Sequence, residues 1–281
     1  MPYTLKPKTM YLMPTHFGPM SGPRQGPGGE LGAFSVDQRK TRAYGVSFLT
    51  EQEQLEALLP PGFEAVGEPV VTVTQTQMTE IDWLAGRGYS TLGVTFQARY
   101  NGSSDRATGP LLLVLWENLT DPILTWREQL GLSKIYCKLP EPVIHGGETH
   151  CTASWLGLRF MDMRLTNMEP VEVGEGAAAA ENPDDGELQG TLHYKYVPRT
   201  GEWGEADAEY AVLSPLNPPV NEPKRWQGDG SVRFHRAKWE DLPTQYMIVN
   251  ALAELEVKEG RGATITHGVG GRDLIDQRIL R

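Results

Sequence analysis

The stretch PLLLVLWENLTDPILTWREQLGLSKIYCKLPEP, Pro110 to Pro142, reads as strand, helix, strand. PLLLVLWE (Pro110–Glu117) is apolar enough to be buried on both faces. A helix is predicted from Asp121, an N-cap carboxylate, with Pro122 at the first helical position and Gly131 at the end. Lys134 and Lys138 then stand among Leu130, Leu132, Ile135, Tyr136 and Leu139. Lysines usually keep their ammonium groups in water. One reading is a cation closing a helix C-terminus, where the macrodipole favours positive charge. The other is an amine kept neutral. A free lysine titrates at about 10.4 and has little neutral amine at pH 7, and desolvation lowers that value by several units. The residues alone favour the helix-end reading and leave the Schiff-base reading open.

Outward from this stretch the chain is rich in strands. TRAYGVSFL from Thr41 is a strand, and a capping box Thr50-x-x-Glu53 opens a helix that Pro60 and Pro61 stop. PVVTVTQTQM (Pro69–Met78) and STLGVTFQARY (Ser90–Tyr100) alternate as strands do. Long strands return at Glu148–Leu165, then at LQGTLHYKYV, AEYAVLSP and GSVRFHRAKW, and a last helix is read in LPTQYMIVNALAEL. EVGEGAAAAENPDDGE (Glu172–Glu187) reads as a solvated acidic loop. Few helices separate these strands, so the expected class is α+β: one domain, residues 36–281, built on a large curved antiparallel sheet or closed β-cone with a few peripheral helices. Residues 1–35, rich in Pro and Gly, read as an extended arm wrapping its own domain or a neighbour.

A net charge of −10 over 281 residues leaves no basic stripe for nucleic acid and no attraction to anionic membranes. The first twenty residues lack an apolar signal core, and nothing approaches a membrane-spanning apolar run. Two cysteines, Cys137 and Cys151, are too few for a disulfide framework and fit a reducing cytoplasm. His145, His150 and Cys151 lack metal-ligand spacing, so no metal site is expected. No G-x-S-x-G elbow or phosphate loop occurs.

WENLTDPILTWREQLGLSKIYCKL resembles the acetoacetate decarboxylase family. There an acidic, Asn-containing strand end leads to a helix carrying Arg-Glu, and the Schiff-base lysine comes six residues after that Glu. In this chain the Glu is Glu128 and the lysine is Lys134. LLPPGFE, the GEPVV strand and GYSTLG agree with the family pattern, which covers residues 40–165 well and the rest loosely. The resemblance implies the β-cone fold, no cofactor, a small oxo-acid substrate and a homo-oligomer. It assigns Lys134 as nucleophile and places Glu128 near it as a proton relay or a structural partner. It sets Tyr89 and Thr91 in the pocket, Thr91 standing where the family has a glutamate, and Thr74 near a second pocket glutamate. Ile135 replaces the second lysine of the decarboxylase.

Side chains two, four and six apart share a strand face, so Gln97 joins Thr91 on the expected wall. Thr72, Thr76 and Thr95 are read as strand formers. Arg127 is the candidate for a bidentate grip on a substrate carboxylate. Arg39 and Arg42 both remain open as the strand arginine, with Arg42 favoured for lying in the strand itself. Two functions compete. One is a lyase that forms an imine through Lys134, for β-keto acid decarboxylation or for aldol and dehydration chemistry on a pyruvate-type substrate. The other is a non-catalytic carboxylate-binding protein that keeps the pocket.

Overall fold

The computed structural model describes residues 3–172, 187–216, 221–271 and 276–281. The strands are β1 (Lys40–Leu49), β2 (Phe63–Ala65), β3 (Val70–Ile81), β4 (Arg87–Asn101), β5 (Arg106–Glu117), β6 (Lys134–Tyr136), β7 (Val143–His145) and β8 (Glu148–Trp155). They continue as β9 (Leu158–Val171), β10 (Leu188–Gln189), β11 (Thr191–Pro198), β12 (Ala206–Ser214), β13 (Asn221–Phe234), β14 (Glu259–Val269) and β15 (Arg278–Ile279). The helices are α1 (Gln52–Glu56), α2 (Thr120–Leu130) and α3 (Tyr246–Glu254). The acidic loop expected at Glu172–Glu187 lies almost entirely outside the described residues.

All the strands belong to one sheet, ordered β15-β12-β11-β5-β4-β3-β1-β14-β13-β9-β8-β7, with β2, β6 and β10 attached beside it. The sheet is open rather than closed. Most neighbours are antiparallel, as expected, but β5 pairs in parallel with β6, β10 and β11. The sheet is strongly curved. Thr266 of β14, Thr41 of β1, Thr76 of β3 and Thr91 of β4 line one cavity of about 510 Å³. Leu115 of β5, Thr191 of β11 and Ser214 of β12 line the same cavity. Laid flat, seven adjacent strands would span about 29 Å at ~4.8 Å spacing. They reach one small cavity only by coiling around it.

β5 is the buried spine. Trp116 has no exposure, donates from Nε1 to Gln245 Oε1 at 2.7 Å and packs on Phe160 and Phe234. Gln245 also donates to the Tyr136 carbonyl at 3.0 Å, tying the start of α3 to β6.

Two helix starts differ from expectation. α2 begins at Thr120 with Leu119 as N-cap, so Asp121 sits in the first turn and acts through the dipole rather than as a cap. α1 begins at Gln52 after Glu51, and Thr50 turns its hydroxyl to Gln54 Oε1 at 3.1 Å instead of capping backbone. No helix among the described residues is long and apolar enough to cross a membrane.

Candidate active site

The end of α2 sets the site. Gly131 stands at φ +80°, the left-handed turn that ends the helix, and a Cβ there would meet Lys195 Cβ at 2.4 Å. Only glycine satisfies both demands. Lys195 covers the turn and donates from Nζ to the Glu128 and Gln129 carbonyls at 2.8 and 3.3 Å. Buried His193 contacts the Gly131 carbonyl through Nδ1 and Ser214 Oγ through Nε2, at 3.2 and 2.9 Å. Burial holds this imidazole down at about 4, so it is neutral.

Three residues past the glycine, β6 lies in parallel beside β5, with Lys134 opposite Leu115 and Tyr136 opposite Glu117. Leu115 and Glu117 are two apart and share a face, and both line the 510 Å³ cavity with Lys134. Ile135 points the other way, into a second cavity of about 450 Å³ beside Leu113 and Ile248.

Lys134 is 3% exposed and Glu117 fully buried, and Lys134 Nζ stands 2.6 Å from Glu117 Oε1. The ammonium also reaches the Pro122 carbonyl at 3.4 Å and lies 4.7 Å from the centre of the Trp126 ring. Burial pulls the lysine down to about 8, against the Glu117 carboxylate, which raises it. Burial pushes Glu117 up to about 6, against Lys134, which lowers it. Glu117 Oε2 has no hydrogen-bond partner among the described residues. A buried acceptor left open beside a cavity is costly in a purely structural residue.

Thr91 and Tyr89 line the same cavity and are buried. Thr91 pairs with Glu117 across the β4–β5 ladder. Burial pushes the Tyr89 phenol far up, so it stays a neutral donor.

The other expected site residues lie elsewhere. Gln97 shares a face with Thr91, but six residues of strand place it about 20 Å away, at an exposed position opposite Pro110. Thr74 is one step too far along β3, opposite Gly45 and Gly93. Thr76, read as a plain strand former, takes the cavity position. Arg42 is exposed on the opposite face of β1, and Arg39 lines the cavity with Thr41 and Ala43. Arg39 donates from Nη2 to the Gly270 carbonyl at 3.3 Å.

Arg127 belongs to the second cavity and donates from Nη1 to the Lys134 carbonyl at 2.9 Å, so it braces the lysine's backbone. The Glu128 side chain does not line the Lys134 cavity, and its carbonyl serves Lys195. Lys138 is exposed and pairs through its backbone with Ser154. His150 turns to Asp162 at 2.8 Å. Among the described residues no three His, Cys, Asp or Glu side chains stand together as a metal site.

A coiled antiparallel sheet around a buried lysine–carboxylate pair defines a lysine-centred pocket protein. The acetoacetate decarboxylase (ADC) family model matches residues 12–268, and the chain belongs to that family of enzymes. No curated protein sequence matches it. Among solved structures it is similar to acetoacetate decarboxylase from Legionella pneumophila, with a TM-score of 0.61 and 15% identity over 89% of this chain and 90% of that one. It is also similar to the enduracididine biosynthesis enzyme MppR complexed with pyruvate, with a TM-score of 0.59 and 16% identity over 91% and 95%. An acetoacetate decarboxylase-like enzyme from Sphingomonas wittichii RW1 matches at a TM-score of 0.59 and 14% identity over 91% and 97%. At these identities the likeness is one of fold.

Proposed function

We propose that the protein is a lyase that forms an imine between Lys134 and the ketone of a small oxo acid, with Glu117 as its proton-transfer partner. The observation that carries this reading is the buried pair itself, Lys134 Nζ 2.6 Å from Glu117 Oε1 on the wall of a cavity. At an amine value of about 8, roughly a tenth of Lys134 is neutral at pH 7, against about one in a few thousand for a free lysine. Glu117, held near 6, is suited to giving and taking protons around neutrality.

The neutral amine attacks the ketone carbon, and the carbinolamine oxygen leaves as water after protonation. The protonated imine then withdraws electrons from the neighbouring carbon. A β-keto acid loses CO2 at that carbon, leaving an enamine that takes up a proton. A pyruvate-type acid loses a proton there instead, and the enamine adds an aldehyde and eliminates water. Glu117 is the group placed to exchange these protons. Arg39, on the same wall, is the cation placed for the substrate carboxylate. MppR was solved complexed with pyruvate, which supports the pyruvate-type branch alongside decarboxylation. The Lys134 charge is already met by Glu117, which favours chemistry at this lysine over a carboxylate-binding role without chemistry.

NMR in D2O tests the proposal. With acetoacetate or pyruvate, the wild-type chain should release CO2 or exchange deuterium next to the ketone, and Lys134→Ala should do neither. Equal turnover by Lys134→Ala contradicts it.

A further inference from the structure

We propose that Arg24, on the N-terminal arm, completes the Lys134 site as a positioning residue, and that docking of the arm sets the reactivity of the lysine. Its consequence for catalysis rests on Lys134 being the nucleophile, but the contact itself does not. Arg24 is 3% exposed, although its neighbourhood, GPMSGPRQGPGG, has almost no core-forming residues. It donates from Nη2 to the Thr125 carbonyl at 3.3 Å and from Nε to Gln129 Oε1 at 3.0 Å, both on α2. The next residue, Gln25, knits the arm to itself. Its Nε2 donates to the Met10 and Met20 carbonyls at 3.1 and 2.7 Å, and its Oε1 accepts from the Met10 amide at 2.8 Å. The arm is thus a folded clasp that inserts one guanidinium against α2.

The place of that guanidinium matters. Its central carbon lies 5.2 Å from the centre of the Trp126 ring, and Lys134 Nζ lies 4.7 Å from the same centre. Two buried cations therefore stand within about 10 Å of each other, too far from bulk water for effective screening. Each gains from the electron-rich face of one indole, and each opposes the other's charge. Only Lys134 can yield by losing a proton, since a guanidinium does not.

The groups facing Lys134 fix the sign. Glu117 from β5 favours the ammonium. Arg39 ahead of β1, Arg127 from α2 and Lys195 from β11 are further cations, each donating to a backbone carbonyl, and Tyr89 from β4 is neutral. The displacement of Lys134 below an ordinary lysine comes first from burial and is opposed by Glu117, and Arg24 adds to the lowering. A small cavity beside the site is lined by Pro23 and Phe34 of the arm together with Arg39, Tyr89 and Trp126, which also line the Lys134 cavity.

The test reads the amine without any substrate. The full chain is labelled with acetic anhydride across pH 6–11, and acetylation of Lys134 is followed by peptide mass spectrometry. Arg24→Met should move the labelling midpoint up by about one pH unit, the size expected for a unit charge at ~10 Å in a medium of effective dielectric ~20. Arg24→Lys should keep it within a few tenths. Should Arg24→Met fail to fold, Arg24→Gln, whose shorter amide matches the reach of the Arg24 Nε that donates to Gln129 Oε1, carries the same expectation. An unmoved midpoint in a folded neutral variant overturns the proposal, as does a shift in Arg24→Lys as large as in Arg24→Met. A moved midpoint without any imine would instead sink the lyase reading and leave the Arg24 contact standing.

Discussion

Lys134 and Glu117 form an ion pair at 2.6 Å with almost no access to solvent, yet they stand on the strands that flank the two ends of one helix. α2 leaves β5 just after Glu117 and returns just before Lys134, so the helix closes a loop whose two ends carry opposite charges. The parallel pairing of β5 with β6 then brings those ends onto one face. A pair built this way is expensive to bury. Its retention beside a cavity is what the proposed chemistry accounts for.

Glu117→Gln removes the charge that favours the ammonium while keeping the side chain's shape. The Lys134 labelling midpoint should then fall, opposite in direction to Arg24→Met. Turnover should drop by about 10²–10⁴-fold if Glu117 transfers protons. A midpoint that rises, or turnover left intact, would count against the pairing.

The same pair makes stability depend on pH. Glu117 titrates near 6 when folded, above its ordinary value of 4.5. Its contribution is therefore full below about pH 4.5 and lost as pH rises through about 6. Lys134 titrates near 8, below its ordinary 10.5. Its contribution is full above about 10.5 and lost as pH falls through about 8. The pair thus supports the fold least between pH 6 and 8. Lys134→Met with Glu117→Leu should be neutral or stabilising at pH 7, by up to about 1–4 kcal/mol. Lys134→Ala alone strands Glu117, so its unfolding free energy should lie further below wild type at pH 8 than at pH 5. Denaturant melts at the two pH values measure this.

Gly131→Ala puts a side chain at φ +80° and drives a Cβ into Lys195. The backbone penalty of about 1–2 kcal/mol and overpacking of about 1–3 kcal/mol both act at the turn that aims Lys134. Thermal melts should show the loss, and imine formation should weaken even in the folded protein. A variant that melts like wild type would show the turn to be tolerant.

Much of this was legible in the sequence, and the failures have physical causes. Alternating strands and scarce helices were enough for the curved antiparallel sheet. The glycine stop alone favoured a helix-end lysine, and only the family resemblance, with its lysine six residues after Glu128, singled out Lys134. Gln97 and Thr74 failed because a period of two fixes the face of a strand but not the height along it. Arg42 failed by one residue of parity, which places Arg39 in the cavity instead. Arg127 was drawn in by its place on the helix and Glu128 by the family resemblance, yet their side chains do not line the Lys134 cavity. Glu117 stood in the quoted stretch, but its meeting with Lys134 depends on a parallel pairing that no local pattern encodes. Arg24 lay in a segment whose composition hides a buried cation.

The most direct test of the central claim is borohydride reduction in the presence of pyruvate, acetoacetate or a larger oxo acid, followed by peptide mass spectrometry. With at least one of these acids the wild-type chain should carry a reduced adduct on Lys134. Lys138→Ala should keep that adduct, and Lys134→Ala should carry none. An adduct that survives Lys134→Ala, or a wild-type chain unmodified by every acid, would contradict imine formation at this lysine.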